Sequence, residues 1–563
     1  WTDPSTDDSH GANNPLSKAI DQNVMYTNEI DQALTKIRQQ TGIDKFEMIG
    51  MDACLMSHLE VYDALAEHAN YVVSSQETEP ALGWAYASFL SQLEDNPGMN
   101  GADLGQIIVA SYIDEDTRVQ DESARADFLR QNSPMGGLFG GGTMSADALS
   151  RQLSRSVTLT VADMSEVPAL MDAVNDLAFA LQSEDQNVPA RARTYAQSFT
   201  SIFGSSVPAS YIDLVNFAQL VKKQSGSSAV DKAADAVINQ AQKVVVAEKH
   251  GSEKPGANGI SIYFPNNQLY ASSAAGPRAY TAIADRFAKD SLWDDFLAFH
   301  YTEKTFDKSS VAAVVPDSGA KTRAPGSSAF ELSQLQLSTT STNYDEAVTM
   351  KAEITGSNIG YIYLFVGYVD PASNAIFVAD KDYLEADETS QVGDLFYPVW
   401  SEGDSFMLTY DWLPTVFAIS DGEKSVVALL EPVLYGANPD EAVYSADGIY
   451  TSADGTMTRY ARMYFSSGSL QRVYGFAGND TAGAPSEIIP QTGDQITLLQ
   501  TWLQSDGSGG YKETQIEGQT LTFGDNMFTW DEKYVAEGQY VIGFVVSDLA
   551  GNEKQTFATV KVR

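Results

Sequence analysis

Cysteine is almost absent from the chain: Cys54 is the only one in 563 residues. No intramolecular disulfide can form, which excludes a small disulfide-stapled scaffold. Positive charge is also scarce, with 35 Lys and Arg against 75 Asp and Glu and a formal net charge of -40. A polyanion of that size repels nucleic-acid phosphates and anionic lipid, so general nucleic-acid and membrane-surface binders are set aside. No apolar run approaches the ~18 residues of a membrane-spanning helix. The five histidines form no HExxH pattern and no Cys/His cluster, so spacing offers no zinc site. No glycine-rich phosphate loop follows a strand, and nucleotide use has no motif to carry it. The chain opens on Trp1 with no signal-peptide pattern, which points to a processed or truncated product.

What is present is globular material, 43% hydrophobic and 20% charged, enough for three or four domains at about 100–200 residues each. Residues 26–40 place Ile30, Ala33, Leu34 and Ile37 on one helical face, with Gly42 as the stop. Phe46 to Ala53 has strand length and Leu55 to Ala69 has helical periodicity. Tyr71 to Ser75 and Ser156 to Val161 read as further strands, and 166–182, 210–224 and 228–248 as helices. Gly259 to Phe264 reads as a buried strand stopped by Pro265, followed by a last helical piece over 291–301. This alternation predicts an α/β fold with a mostly parallel sheet and helices on both faces. Residues 118–155, with Gly136, Gly137, Gly140 to Gly142 and five arginines, read as an exposed insertion, either an ordinary loop or a cleavage-prone lid.

Residues 303–327 are rich in Ser, Ala, Pro and Gly and read as a linker. Beyond them come short alternating segments that predict β-sandwich-like modules, one over 328–482 and a smaller, immunoglobulin-like one over 483–563. The second ends in a hairpin turning at Leu549 to Glu553.

The chemistry concentrates at Cys54, which the pattern puts at a strand's carboxyl end and a helix's start. Functional groups gather at strand carboxyl ends in α/β sheets, and a helix N-terminus stabilises a thiolate. A nucleophile is therefore expected there, against the alternative of a small buried hydrophobe. Around it stand Gly50-Met-Asp-Ala-Cys-Leu-Met-Ser-His-Leu-Glu60 and Ser74-Ser-Gln-Glu-Thr-Glu-Pro-Ala-Leu-Gly-Trp-Ala-Tyr86. With Ser210 to Leu214, Gly259 to Pro265 and Trp293 to Leu297, these segments resemble the clostripain-like cysteine peptidases, the C11 family of the caspase-fold clan, over about residues 1–302.

The resemblance implies a caspase-like α/β domain and a Cys-His dyad that cleaves peptide bonds. Cys54 maps onto the nucleophile. Asp52 maps onto the acidic residue of the S1 pocket, which favours Arg or Lys before the cut bond; the alternative is a cap of the following helix. Relatives carry a further acidic residue before the Gly-Trp pair, where this chain has Leu82; Glu77 or Glu79 is placed to compensate. The dyad histidine belongs to a His-Gly pair. Either it is His10, in Ser9-His10-Gly11, or it precedes Trp1, on an N-terminal light chain. His58 is assigned to packing or the surface, and His68, His250 and His300 are weaker candidates still. The chemistry requires no cofactor. Calcium is an optional ligand of the family, and Asp114-Glu115-Asp116 or Asp3, Asp7 and Asp8 would supply carboxylates, though neither has EF-hand spacing and a solvated acidic face is the alternative. Partners are protein or peptide substrates, and the location is secreted or cell-surface. The rival reading is a non-catalytic surface or adhesion protein that retains a peptidase fold.

Overall fold

A computed structural model describes residues 25–131, 145–201, 209–273, 275–309, 313–316, 321–401, 403, 405–435, 443–476, 485–505, 511–524 and 526–563. Helix α1 (Thr27–Thr41) ends at Gly42, whose φ of 73° is the left-handed cap that glycine adopts without penalty. Its Ile30 and Leu34 pack on the main core, while Ile37 is exposed. Strand β1 (Phe46–Gly50) leads through a loop to α2 (Leu59–Leu65) and β2 (Ala69–Ser74). Then come α3 (Gly101–Ser111), α4 (Ala146–Leu153), β3 (Thr158–Asp163) and α5 (Val167–Leu181). The hairpin-like pair β4 (Tyr211–Asp213) and β6 (Ser261–Tyr263) encloses α6 (Leu214–Gln224), α7 (Ser228–Val244) and β5 (Val245–His250). Helix α8 (Trp293–Thr302) closes this half of the chain.

The principal sheet runs β1-β2-β3-β5. Only β1 and β2 are parallel; β2–β3 and β3–β5 are antiparallel, so the sheet is mixed rather than mostly parallel. Alternating helices and strands do not specify direction when long excursions separate strands, because the chain can re-enter from either end. Side-chain alternation sends Val72 and Ala162 into one core and Val73, Leu159 and Val161 into another. Helix α3 lies on the second face so closely that a Cβ on Gly105 would meet Val161 at 2.3 Å.

Several element boundaries differ from expectation: the strand expected over 46–53 ends at Gly50, and the helix expected from 210 begins at Leu214, after the short strand Tyr211–Asp213. The helix after Cys54 begins at Leu59, because residues 55–58 are drawn into loop contacts with Ser75, Glu77 and Ser261. The helix expected to reach 248 stops at Val244, and the β-branched Val245 and Val246 open a strand that pairs with β3. The expected loop at 118–155 includes helices at Thr117–Gln120, Glu122–Gln131 and α4; Gly136, Gly137 and Gly140 to Gly142 lie outside the described residues.

The described part of 303–327 has no helix or strand. The C-terminal half contains, in order, β7 (Val348–Thr355), β8 (Ile359–Val369), β9 (Ile376–Tyr383), β10 (Ser405–Trp412), β11 (Val443–Thr451), β12 (Thr458–Ser466), β13 (Ser469–Phe476), β14 (Pro485–Ile488), β15 (Gln495–Ser505), β16 (Gly538–Asp548) and β17 (Glu553–Val562), with shorter strands between. The β16–β17 hairpin pairs Ser547 with Glu553. The expected division at 482/483 does not separate the strands: β16 pairs with β8, and β15 pairs with both β9 and β11. One 15-stranded sheet of the described residues therefore crosses that point. Local alternation identifies strands but carries no signal for partners so distant in sequence. The β7–β10 pair packs over this sheet through Val348, Met350 and Ile354.

Candidate active site

The loop between β1 and α2 is fastened to the segment after β2. Met56 and Ser57 N–H both donate to the Ser75 carbonyl at 2.8 Å, and Leu55 N–H donates to Glu77 at 3.1 Å. Ser57 Oγ donates to Gly259 at 2.5 Å. Leu55 has φ of 58°, a left-handed conformation costly for a branched residue, and its side chain is buried in the main core. This turn leaves the preceding Cys54 half-buried. The helix N-terminus expected to activate it lies at Leu59 instead.

The backbone N–H of Glu79 donates to Cys54 Sγ at 3.2 Å. That contact favours thiolate, but burial outweighs it, and the carboxylates of Glu79, Glu77 and Glu487 add to burial: the thiol is pushed up to about 12. In this arrangement the sulfur is protonated at neutral pH.

Asp52 is exposed beside it and accepts from Tyr86 Oη at 2.9 Å. Glu79 is buried against it. Burial, followed by the hydrogen bond and charge of Asp52, pushes Glu79 up to about 10, while Trp84 Nε1 donates to it at 3.1 Å. Glu79 therefore keeps its proton at neutral pH and directs it to Asp52. Close packing holds the pair. A Cβ on Gly83, at φ 62°, would stand 3.0 Å from Asp52 Oδ2, and one on Gly50 would stand 2.8 Å from the Trp84 ring. Arg118 secures the same wall by donating to the Leu82 carbonyl and pairing with Asp116 at 2.8 Å.

Glu77 is differently placed. Burial alone would raise its pKa, but Lys254, Thr200 N–H and Thr78 N–H together hold it below the usual carboxylate range. Its carboxylate fastens the loop and is not open to a ligand.

His10, with Asp3, Asp7 and Asp8, lies outside the described residues. Among the described residues no histidine hydrogen-bonds to Cys54. His58 is buried and stacks on Tyr211 with centroids 4.1 Å apart, and burial takes its pKa down to about 3. His68 pairs with Asp31 at 2.7 Å, His250 with Glu248 at 3.0 Å, and His300 with Gln186 at 2.7 Å. No group of three His, Cys, Asp or Glu among the described residues is arranged to hold a metal. Asp114 is paired with Lys249 and Asp116 with Arg118. No described helix is long and apolar enough to cross a membrane.

Sequence reading left two features out. One is the protonated Glu79 facing Asp52, signalled only by two acids in motifs that follow neighbouring strands. The other is Glu487 of β14, whose carboxylate accepts from Ala81 N–H; nothing local marks a residue so far along the chain.

The profile of the clostripain family matches residues 17–300. No curated protein matches the chain. Among solved structures, a secreted C11 cysteine protease of Bacteroides thetaiotaomicron bound to an irreversible peptide inhibitor is similar at 17% identity. That match covers 47% of this chain and 62% of the other, under two thirds of its length, with a TM-score of 0.31. A B. fragilis cysteine protease is similar at 19% identity over 48% of this chain and 96% of its own, TM-score 0.28. An inactive zymogen C11 protease of Parabacteroides distasonis is similar at 15% identity over 49% and 63%, TM-score 0.30.

Proposed function

This chain belongs to the clostripain family, and from that premise we propose that it is a cysteine endopeptidase whose nucleophile is Cys54, cutting after Arg or Lys. The observation that carries the reading is the placement of the lone thiol against the segment that bears the Asp52–Glu79 acid pair. Sulfur attacks the scissile carbonyl carbon, the amine leaves with a proton from a histidine, and water then hydrolyses the thioester. The Glu79 amide steadies the thiolate. The dyad histidine is His10 or a residue of a separate light chain. Asp52 receives the guanidinium or ammonium of the residue before the cut, which its charge suits. Glu77 positions the loop through Lys254. The reading includes export to the medium or cell surface, supported by the acidic excess of 75 over 35.

A panel of peptides differing only in the residue before the cut tests this. Hydrolysis after Arg or Lys that disappears in Cys54→Ala supports it; hydrolysis indifferent to Cys54→Ala sinks it. The rival reading, a non-catalytic protein of the same fold, draws on the protonated thiol and gains if no variant cuts any peptide.

A further inference from the structure

The segment that touches Cys54 is gripped on both sides by the C-terminal sheet. Glu79 N–H meets the sulfur; Thr78, just before it, lies beside the Tyr474 phenol, and Ala81, two residues after it, donates to Glu487. Tyr474 and Glu487 are direct partners across the β13–β14 pair, so both project from one face. Arg472, two residues before Tyr474, shares that face. It donates to Tyr474 Oη at 3.3 Å and, across the boundary, to the carbonyl of Leu153 at the end of α4. Further along the same boundary, Arg155 donates to Ser467 Oγ at 3.2 Å. Tyr464, opposite Arg472 on β12, meets Thr200 Oγ1 at 3.5 Å.

The face is polar in composition, yet Tyr474 is 2% exposed and Arg472 6%. The alternate residues, Met463, Val473 and Ile488, belong to an apolar cluster that also takes in Val73, Leu82 and Trp84 of the N-terminal half. Buried Arg472 and Tyr474, with half-buried Glu487, make the contact over the cysteine loop polar, with the Arg and Tyr that interfaces favour. Glu487 also sets a carboxylate near the sulfur, where negative charge opposes thiolate.

We infer that β13 and β14 form an intramolecular inhibitor, which closes the approach to Cys54 with Tyr474 and Glu487 and must withdraw before a peptide can enter. This rests on reading Cys54 as the nucleophile, and it leaves the folded chain only the hydrolysis that transient withdrawal of these strands allows, against which the variants are measured.

The test is iodoacetamide alkylation of the single thiol in the full chain near neutral pH, with circular dichroism monitoring the fold. The wild type should react at least roughly tenfold more slowly than free cysteine, because both access and thiolate are denied. Tyr474→Ala with Glu487→Ala should recover roughly tenfold or more of that rate. Tyr474→Phe with Glu487→Gln keeps the shapes but removes the phenol's bonds and the charge. It should recover part of the rate, and it decides the matter if the alanine pair unfolds. A wild type that reacts as fast as free cysteine, or folded variants that react no faster than wild type, overturns the proposal. Alkylation reads access and thiolate at the sulfur and needs no peptide cleavage, so this result stands apart from the peptidase reading. That reading fails instead if a freely alkylated variant hydrolyses nothing in the peptide panel.

Discussion

Gln76 and Glu79 lie three residues apart on the segment after β2, yet they serve opposite kinds of site. Gln76 Nε2 donates at 3.0 Å to Asp213, which also accepts from Asn216 N–H at 2.7 Å and from Asn258 N–H at 2.6 Å and its Nδ2 at 3.1 Å. This buried acid is surrounded by donors and joins α6, the β2 segment and the 251–260 loop. Glu79 faces another acid: Trp84 donates to one of its oxygens, and its own carboxyl proton is directed to Asp52. The first arrangement welds the fold. The second sets two acids together at the exposed Asp52, where a cationic side chain can arrive, as expected of a working site.

The widest separation of the two should come from Cys54→Ala, with at least roughly a thousandfold loss of peptide hydrolysis at unchanged thermal midpoint. Asp213→Ala should do the reverse, costing about 3 kcal/mol in urea unfolding because buried donors lose their acceptor. Asp52→Ala should lower kcat/KM for Arg and Lys peptides roughly 10–100-fold, the worth of a charge-assisted contact, while peptides with neutral residues at that position change little. The smallest effect is expected from Glu79→Gln, because glutamine imitates a carboxyl that is already protonated. Its kcat/KM should stay within roughly threefold of wild type.

That last variant sharpens the comparison through pH. Glu79 is raised from its ordinary 4.5 to about 10, so between those values the folded chain holds a proton that the unfolded chain has released. Its contribution to stability is complete below 4.5 and is lost as pH rises toward 10. Glu79→Gln should flatten this alkaline decline in urea-unfolding free energy. A decline identical in the variant would show that Glu79 does not hold the proton.

Much of the peptidase half was legible in the residues. The stop at Gly42, the strand that delivers Cys54 and the helix ending at Leu181 follow from periodicity and capping that act over a few residues. The start of α2 was not, because residues 55–58 are held by Ser75 and Ser261, partners that helical periodicity ignores. Nor was the direction of β3 and β5, which depends on where long excursions return. Glu77 and Glu79 are chemically alike in the sequence. Only Lys254 beside one and Asp52 beside the other give them different charge states.

The amino-acid sequence by itself determined where the one thiol and its acidic neighbour lie, since a single cysteine follows one strand and Asp52 is two residues before it. Tertiary structure alone decided whether that thiol is charged and whether it can be reached. Ionisation and access depend on distances between groups that meet only after folding, and Glu487 comes to Cys54 across more than four hundred residues of chain.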